Sequence, residues 1–231
     1  MIKVKQFIYL LVLCLLIACK NNIGDIVDDL YAGCYEMTGM ENGYAYVDLG
    51  LSVKWAICNV GATKLEEYGD YFAWGEVESK DNSDWRTYRY CNGSARTMTK
   101  YCTHSFYGAI DNKSILESED DAATANWGGA WRMPTRAELD ELWNNCTWSW
   151  TTQNGVKGYN VKGINGNSIF LPAAGYMYEG RLCHTGTFGG YWSSSLYTRD
   201  PAYAYIFNFG SDVGCDNGFR IILSSVRPVC P

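Results

Sequence analysis

Between Trp127 and Trp143 the chain reads W-G-G-A-W-R-M-P-T-R-A-E-L-D-E-L-W, and no other stretch restricts the fold as tightly. Pro134 breaks the chain just before a possible helix, Thr135 can serve as its N-cap, and Glu138 stands at the third helical position, where it completes a capping box. Leu139, Leu142 and Trp143 then recur at helical spacing, which gives the helix one apolar face. The block therefore predicts a helix that starts abruptly after a glycine and tryptophan turn.

The rest of the chain reads mainly as short strands. Aromatic residues make up 15% of it, with 24 Gly and 5 Pro, which supplies a real core and many tight turns. Strand candidates fall at 44–49, 52–58 and 70–74, the last bounded by Gly69 and Gly75, and later at 168–171 and 191–194. Tyr203, Tyr205, Phe207 and Phe209 alternate with Ala204, Ile206 and Asn208, so a strand there carries four aromatics on one face. The stripe reads as core; a sugar-stacking platform is the alternative. Residues 76–114, rich in Asn, Ser, Thr and charge, read as a long loop region, the kind of segment that often binds ligands. Glu117, Glu119, Asp120 and Asp121 precede Ala122-Ala123-Thr124-Ala125, which places carboxylates in the first turn of a short helix. A metal-binding cluster is the other reading of those acids, but they lack the regular oxygen spacing and tight turn of a hard-cation loop. No metal and no cofactor is expected.

Lys3 and Lys5 precede an apolar run over 7–17 that is too short to span a membrane, and the run ends in Leu16-Ile17-Ala18-Cys19. That ending looks like a bacterial lipobox, with Cys19 as the acylated first residue of the mature chain. The expected organisation is a signal peptide over 1–18, a tether over 19–43 and one domain over 44–231, attached through lipid to the outer membrane or cell surface of a Gram-negative bacterium. Formal charge is −6 and becomes −8 once Lys3 and Lys5 leave, which argues against nucleic acid and anionic lipid surfaces as partners. Of ten cysteines, removing Cys14 and Cys19 leaves eight, which allow 105 complete pairings. No C-x-x-C occurs and His104 and His184 stand alone, so the pattern fits neither a zinc site nor a thioredoxin-like redox centre. Ser193-Ser194-Ser195 lacks the G-x-S-x-G setting of a hydrolase nucleophile.

The Trp127 block, together with Tyr46-Val47-Asp48-Leu49-Gly50-Leu51, Tyr68-Gly69-Asp70-Tyr71-Phe72-Ala73-Trp74-Gly75-Glu76, Tyr191-Trp192-Ser193-Ser194-Ser195 and Ser225-Val226-Arg227-Pro228-Val229, resembles the Fibrobacter succinogenes major paralogous domain family. The resemblance covers nearly everything after residue 44. It implies an α+β, C-type-lectin-like fold with short antiparallel strands, two helices and long loops, shared with formylglycine-generating enzymes, and no established activity. Those oxidases hold copper with two C-terminal cysteines close in sequence, whereas Cys215 and Cys230 lie fifteen positions apart. The Glu-Pro-Asn or Gln-Pro-Asp and Trp-Asn-Asp triplets of calcium-dependent lectins are also missing. Because lectin-like folds join their first and last strands, the resemblance implies Cys58 and Cys230 as a disulfide pair.

After Glu179 the chain uses Trp192 but no Lys, Glu, Gln, Met or other Trp, the five residues that no codon ending in C or T encodes. Such restriction resembles the diversified tails of some lectin-like proteins; a β-rich surface that avoids long charged side chains is the plainer reading. Either way the tail is a candidate ligand face, with Tyr197, Arg199, Asp200, Asp212, Asp216, Asn217, Phe219 and Arg220 in or beside its turns. The expected function is non-catalytic recognition of a glycan or extracellular protein by a lipid-anchored domain. The alternatives are an accessory subunit of a surface fibre and a degenerate relative of the copper oxidases.

Overall fold

A computed structural model of the chain describes residues 37–82, 84–210 and 213–231; the expected signal peptide, Cys19, most of the expected tether and Asp212 lie outside them. The first strands are β1 (Gly39–Glu41), β2 (Tyr44–Val47) and β3 (Lys54–Ala56), followed by a long irregular stretch, α1 (Ala122–Trp127) and α2 (Arg136–Asn145). Strands then dominate: β4 (Thr147–Gln153), β5 (Val156–Lys162), β6 (Ser168–Pro172), β7 (Tyr176–Tyr178), β8 (Arg181–Cys183), β9 (Gly189–Leu196), β10 (Tyr203–Phe209), β11 (Val213–Phe219) and β12 (Val229–Cys230). They form sheets of order β1-β2-β3-β12, β11-β10-β9, β4-β5-β6 and β7-β8, and every pairing between these strands is antiparallel, so the class is α+β.

The capping box forms as its residues demand. Thr135 Oγ1 accepts from Glu138 N at 3.3 Å, and Glu138 Oε2 accepts from Thr135 N at 2.7 Å, satisfying two N–H groups that a helix start otherwise leaves bare. Arg132 locks the same carboxylate with a fork, at 2.8 and 2.5 Å. Leu139 and Leu142 are buried and Trp143 half-buried, where α2 lies against β9, β10 and β11. Asp121 caps α1 by accepting from Thr124 N at 3.0 Å and also accepts from Met133 N, but the first turn of α1 holds no acid: Glu119 and Asp120 lie in a preceding 3-10 turn over Ser118–Asp120.

Three expectations are corrected. The ordered chain begins before Tyr44: Asn42 and Gly43, at φ of +44° and +84°, make a two-residue hairpin turn that pairs β1 with β2 inside the expected tether. Residues 70–74 form no continuous strand. Phe72 makes one bridge to Ser224, while Trp74 N donates to Arg220 O and its indole donates to Ser193 O at 2.8 Å, so successive residues serve different partners. The first and last strands do meet, but β12 pairs with β3 in a register that sets Cys230 opposite Lys54 and Val229 opposite Trp55. Cys58 lies four residues further along, past the end of β3, where its thiol donates to Ala62 O at 3.5 Å, and neither Cys58 nor Cys230 is in a disulfide.

The aromatic stripe of β10 divides. Phe207 and Phe209 are fully buried beneath Trp148, with Tyr191 stacked on Phe209, whereas Tyr203 and Tyr205 are only half-buried. Ala204 and Ile206 on the opposite face are buried as well, against Trp192, so this central strand is covered on both sides.

Candidate functional site

The tail residues separate into three groups. Tyr197, Arg199 and Asp200 occupy the turn between β9 and β10. Tyr197 packs edge-on against Tyr205 at 5.3 Å, Arg199 is exposed, and Asp200 accepts from Ala202 N at 3.0 Å and bonds to Tyr107. Asp216 and Asn217 lie on β11, with Asp216 exposed and bonded to Asn217 N at 2.8 Å. Phe219 and Arg220 end the strand and point to opposite fates: Phe219 is 38% exposed and Arg220 is 0% exposed.

Arg220 is therefore no surface contact, and the long loop is the reason. Its Nε donates to Tyr88 Oη at 2.7 Å, Nη1 to the carbonyls of Pro201 at 3.0 Å and Tyr101 at 3.2 Å, and Nη2 to Lys100 O at 3.2 Å. The rings of Trp74 and Tyr88 lie 4.8 and 5.1 Å from the guanidinium carbon. Carbonyl dipoles, a hydroxyl and aromatic faces thus solvate a cation that has left water. Burial pushes the Tyr88 phenol far up despite the opposing pull of Arg220. Tyr88 stays protonated and donates to Trp74 O at 2.7 Å while accepting from the arginine.

Phe219 opens onto a cleft of about 410 Å³, within the size range of small-ligand sites. Asn82, Asp84, Trp85 and Arg86 of the long loop form one wall, the β7–β8 turn with Tyr178 and Glu179 forms another, and Phe219 and Ile221 complete it. The hairpin bends sharply there because Glu179 and Gly180 both take positive φ, +49° and +70°, in a two-residue turn. Trp85 meets Phe219 edge-on at 6.0 Å, and Tyr203 stacks on Phe219 at 4.2 Å, which fixes that ring from behind. Tyr178 is 40% exposed. Asp84 accepts from Arg86 Nε at 2.9 Å and from its backbone N at 2.8 Å, and these bonds hold the carboxyl below its ordinary range, as a charged acceptor. The cleft thus offers three aromatic rings, an Asp–Arg pair, one further carboxylate and one amide, a set suited to holding a polar molecule with an apolar face.

The acidic residues ahead of α1 place ligand atoms of Glu117, Glu119 and Asp120 within 4.8 Å of one another. Lys100 occupies that group, with Nζ 2.6 Å from Glu117, 3.2 Å from Glu119 and 2.5 Å from Asp120. The Lys100 ammonium sits among all three carboxylates, Lys113 pairs with Glu117 at 2.6 Å, and Asp120 is further held by Tyr90 and Tyr101. Cys215 and Cys230 lie in different sheets; Cys215 faces Asp140, and burial followed by that carboxylate raises its thiol.

Trp85, Tyr178 and the Asp84–Arg86 pair were not singled out by sequence. The long loop as a binding region and Phe219 as a contact both point to the cleft, and Tyr-Glu-Gly-Arg is a hairpin signal that could have added Tyr178. Compared with known proteins, the chain matches no family model, no curated protein and no solved structure.

Proposed function

We propose that this domain is a non-catalytic recognition module, on the C-type-lectin-like variant of the α+β class that the sequence resemblance implies, and that it binds a glycan in the cleft at Phe219. The observation that carries the reading is the convergence of Trp85, Tyr178 and Phe219 from three separate chain segments around one solvent-open volume beside the Asp84–Arg86 pair. A pyranose has a C–H face that packs on aromatic rings and a rim of hydroxyls that bond to a planar charged fork. Preformed walls favour such binding because little conformational entropy remains to be lost. On a lipid-anchored chain this site would serve surface attachment.

The test is a glycan array probed with the chain lacking residues 1–18, followed by titration of any hit against Trp85→Ala and Tyr178→Ala. Binding that both substitutions weaken at least tenfold supports the proposal. Hits that neither substitution affects would place recognition elsewhere, and an array with no glycan hit would remove the glycan reading.

A further inference from the structure

A sheet edge is an open template for another strand, and proteins blunt such edges with charge, glycine, proline, shortness or cover. Nearly every edge of this domain is blunted. β1 and β8 are three residues long and carry Glu41 and Arg181. β11 is interrupted by Gly214, Asp216 and Gly218, and α2 lies beside it. The outer side of β9 is covered through bonds from Trp192 N to Ser225 O and from Leu196 N to Ser114 O, β6 is wholly buried, and β12 bridges Arg132.

β4 is the exception. It is the outer strand of β4-β5-β6, and among the described residues no strand pairs with its free side. It runs Thr-Trp-Ser-Trp-Thr-Thr-Gln for seven residues without a charge, a glycine or a proline, and five of the seven are aromatic or threonine, the types that favour strands. Thr147, Ser149, Trp150 and Thr152 are exposed, and Trp150, at the centre, is 45% open to solvent with its ring edge-on to Tyr159 at 5.0 Å.

We propose that this edge pairs with β4 of a second copy of the chain, antiparallel and centred on Trp150. The uncharged edge offers no counter-charge to an acidic or basic strand, and its own copy is an uncharged strand of equal length. A two-fold axis at Trp150 sets Ser149 opposite Thr151 of the second copy, Trp148 opposite Thr152, and Thr147 opposite Gln153. These are hydroxyl, aromatic–threonine and amide pairs of the kind that stabilise neighbouring strands. Residues 148, 150 and 152 share a face in both copies, so the two Trp150 rings meet across the axis, each backed by its own Tyr159. The lysines nearest the edge, Lys157 and Lys162, sit on β5, one strand back. The result is one sheet of order β6-β5-β4 continued through β4-β5-β6 of the second copy, an isologous contact that closes on itself.

The experiment places a photo-crosslinking amino acid at Thr152 in the full chain, in membranes or detergent. The expected product has twice the mass of the chain and joins position 152 to residues 147–149 of a second copy. S149K/T151K sets lysines opposite each other at two places and should reduce that product at least tenfold, and S149E/T151E should do the same. Co-expression of the Lys and Glu variants should restore it, an outcome that misfolding of either variant could not produce. Any of four results overturns the proposal: no dimer product from the otherwise native chain, a product joined to another protein, a product joined to residues 1–36 of the same chain, or an undiminished product from the Lys variant without rescue in the mixture.

Discussion

Replacing Arg220 by alanine removes a guanidinium that makes four hydrogen bonds to oxygen, from Nε to Tyr88 Oη and from Nη1 and Nη2 to the carbonyls of Pro201, Tyr101 and Lys100. It also strips the cation from the faces of Trp74 and Tyr88. Bonds to a charged donor contribute about 1.5–3 kcal/mol each, and a buried acceptor left bare costs about 1–3 kcal/mol. Release of the buried charge offsets part of this, so the net loss is about 3–5 kcal/mol, the range found when a buried charge contact is broken. For a domain of this size each kcal/mol shifts the melting temperature by about 2–4 °C, so Arg220→Ala should lower it by about 6–20 °C. Arg220→Lys should recover little, because one ammonium cannot reproduce a fork that bonds in three directions. Circular dichroism melts of both variants check this. A drop under about 2 °C for Arg220→Ala would show that the guanidinium does not anchor the long loop, and the surface role expected from sequence would return.

Tyr178→Ala should leave the melting temperature within a few degrees, because the ring is 40% exposed, while weakening glycan binding; melts and titrations on one preparation separate the two effects. Thr135→Ala removes one half of the capping box and should cost about 1 kcal/mol, read as a fall of about 2–4 °C in the melting temperature. Burial works to raise the Asp120 carboxyl, but bonds from Lys100, Tyr101 and Tyr90 outweigh it and hold the carboxyl below its ordinary range. The stability Asp120 contributes is therefore present above about pH 4, the unfolded value, and is lost as pH falls through the lower folded value. Asp120→Asn should flatten that acid limb in denaturant titrations run at a series of pH values; because burial shifts Asp121 the opposite way, the difference between variant and native chain is the quantity to read. Cys19→Ser should move the protein out of the detergent phase on partitioning or block its processing, and retention in that phase would refute the lipobox reading.

Local features were legible in the sequence because their partners are close along the chain. Thr135 and Glu138 are three residues apart, Asp121 caps a helix that starts at the next residue, and the alternation of β10 shows which residues share a face. Asn42-Gly43 was equally local, and its hairpin could have been placed from the turn pair alone. Long-range register was not legible. Residues 54 and 230 are aligned by packing across the whole domain, and that register sets Lys54 rather than Cys58 opposite Cys230. The split of the aromatic stripe was hidden for the same reason, since Trp148, which covers Phe207, comes from another sheet.

Arg220 explains why the cleft forms where it does. The residue before it, Phe219, supplies one ring of the site, and Tyr88, which Arg220 holds, lies three positions after Trp85 and packs against that ring edge-on at 5.9 Å. One buried cation therefore fixes both the strand end and the loop wall. Asp84 and Arg86 flank Trp85 and share its position, so the polar fork is set by the same anchor. The other wall is independent, since Tyr178 and Glu179 depend on the two-residue turn and on a bridge from Met177 to Leu223. Loss of Arg220 should accordingly weaken binding and lower stability together. Loss of Tyr178 should weaken binding alone, and a ligand that distinguishes the two variants in this order would tie the cleft to the anchor that shapes it.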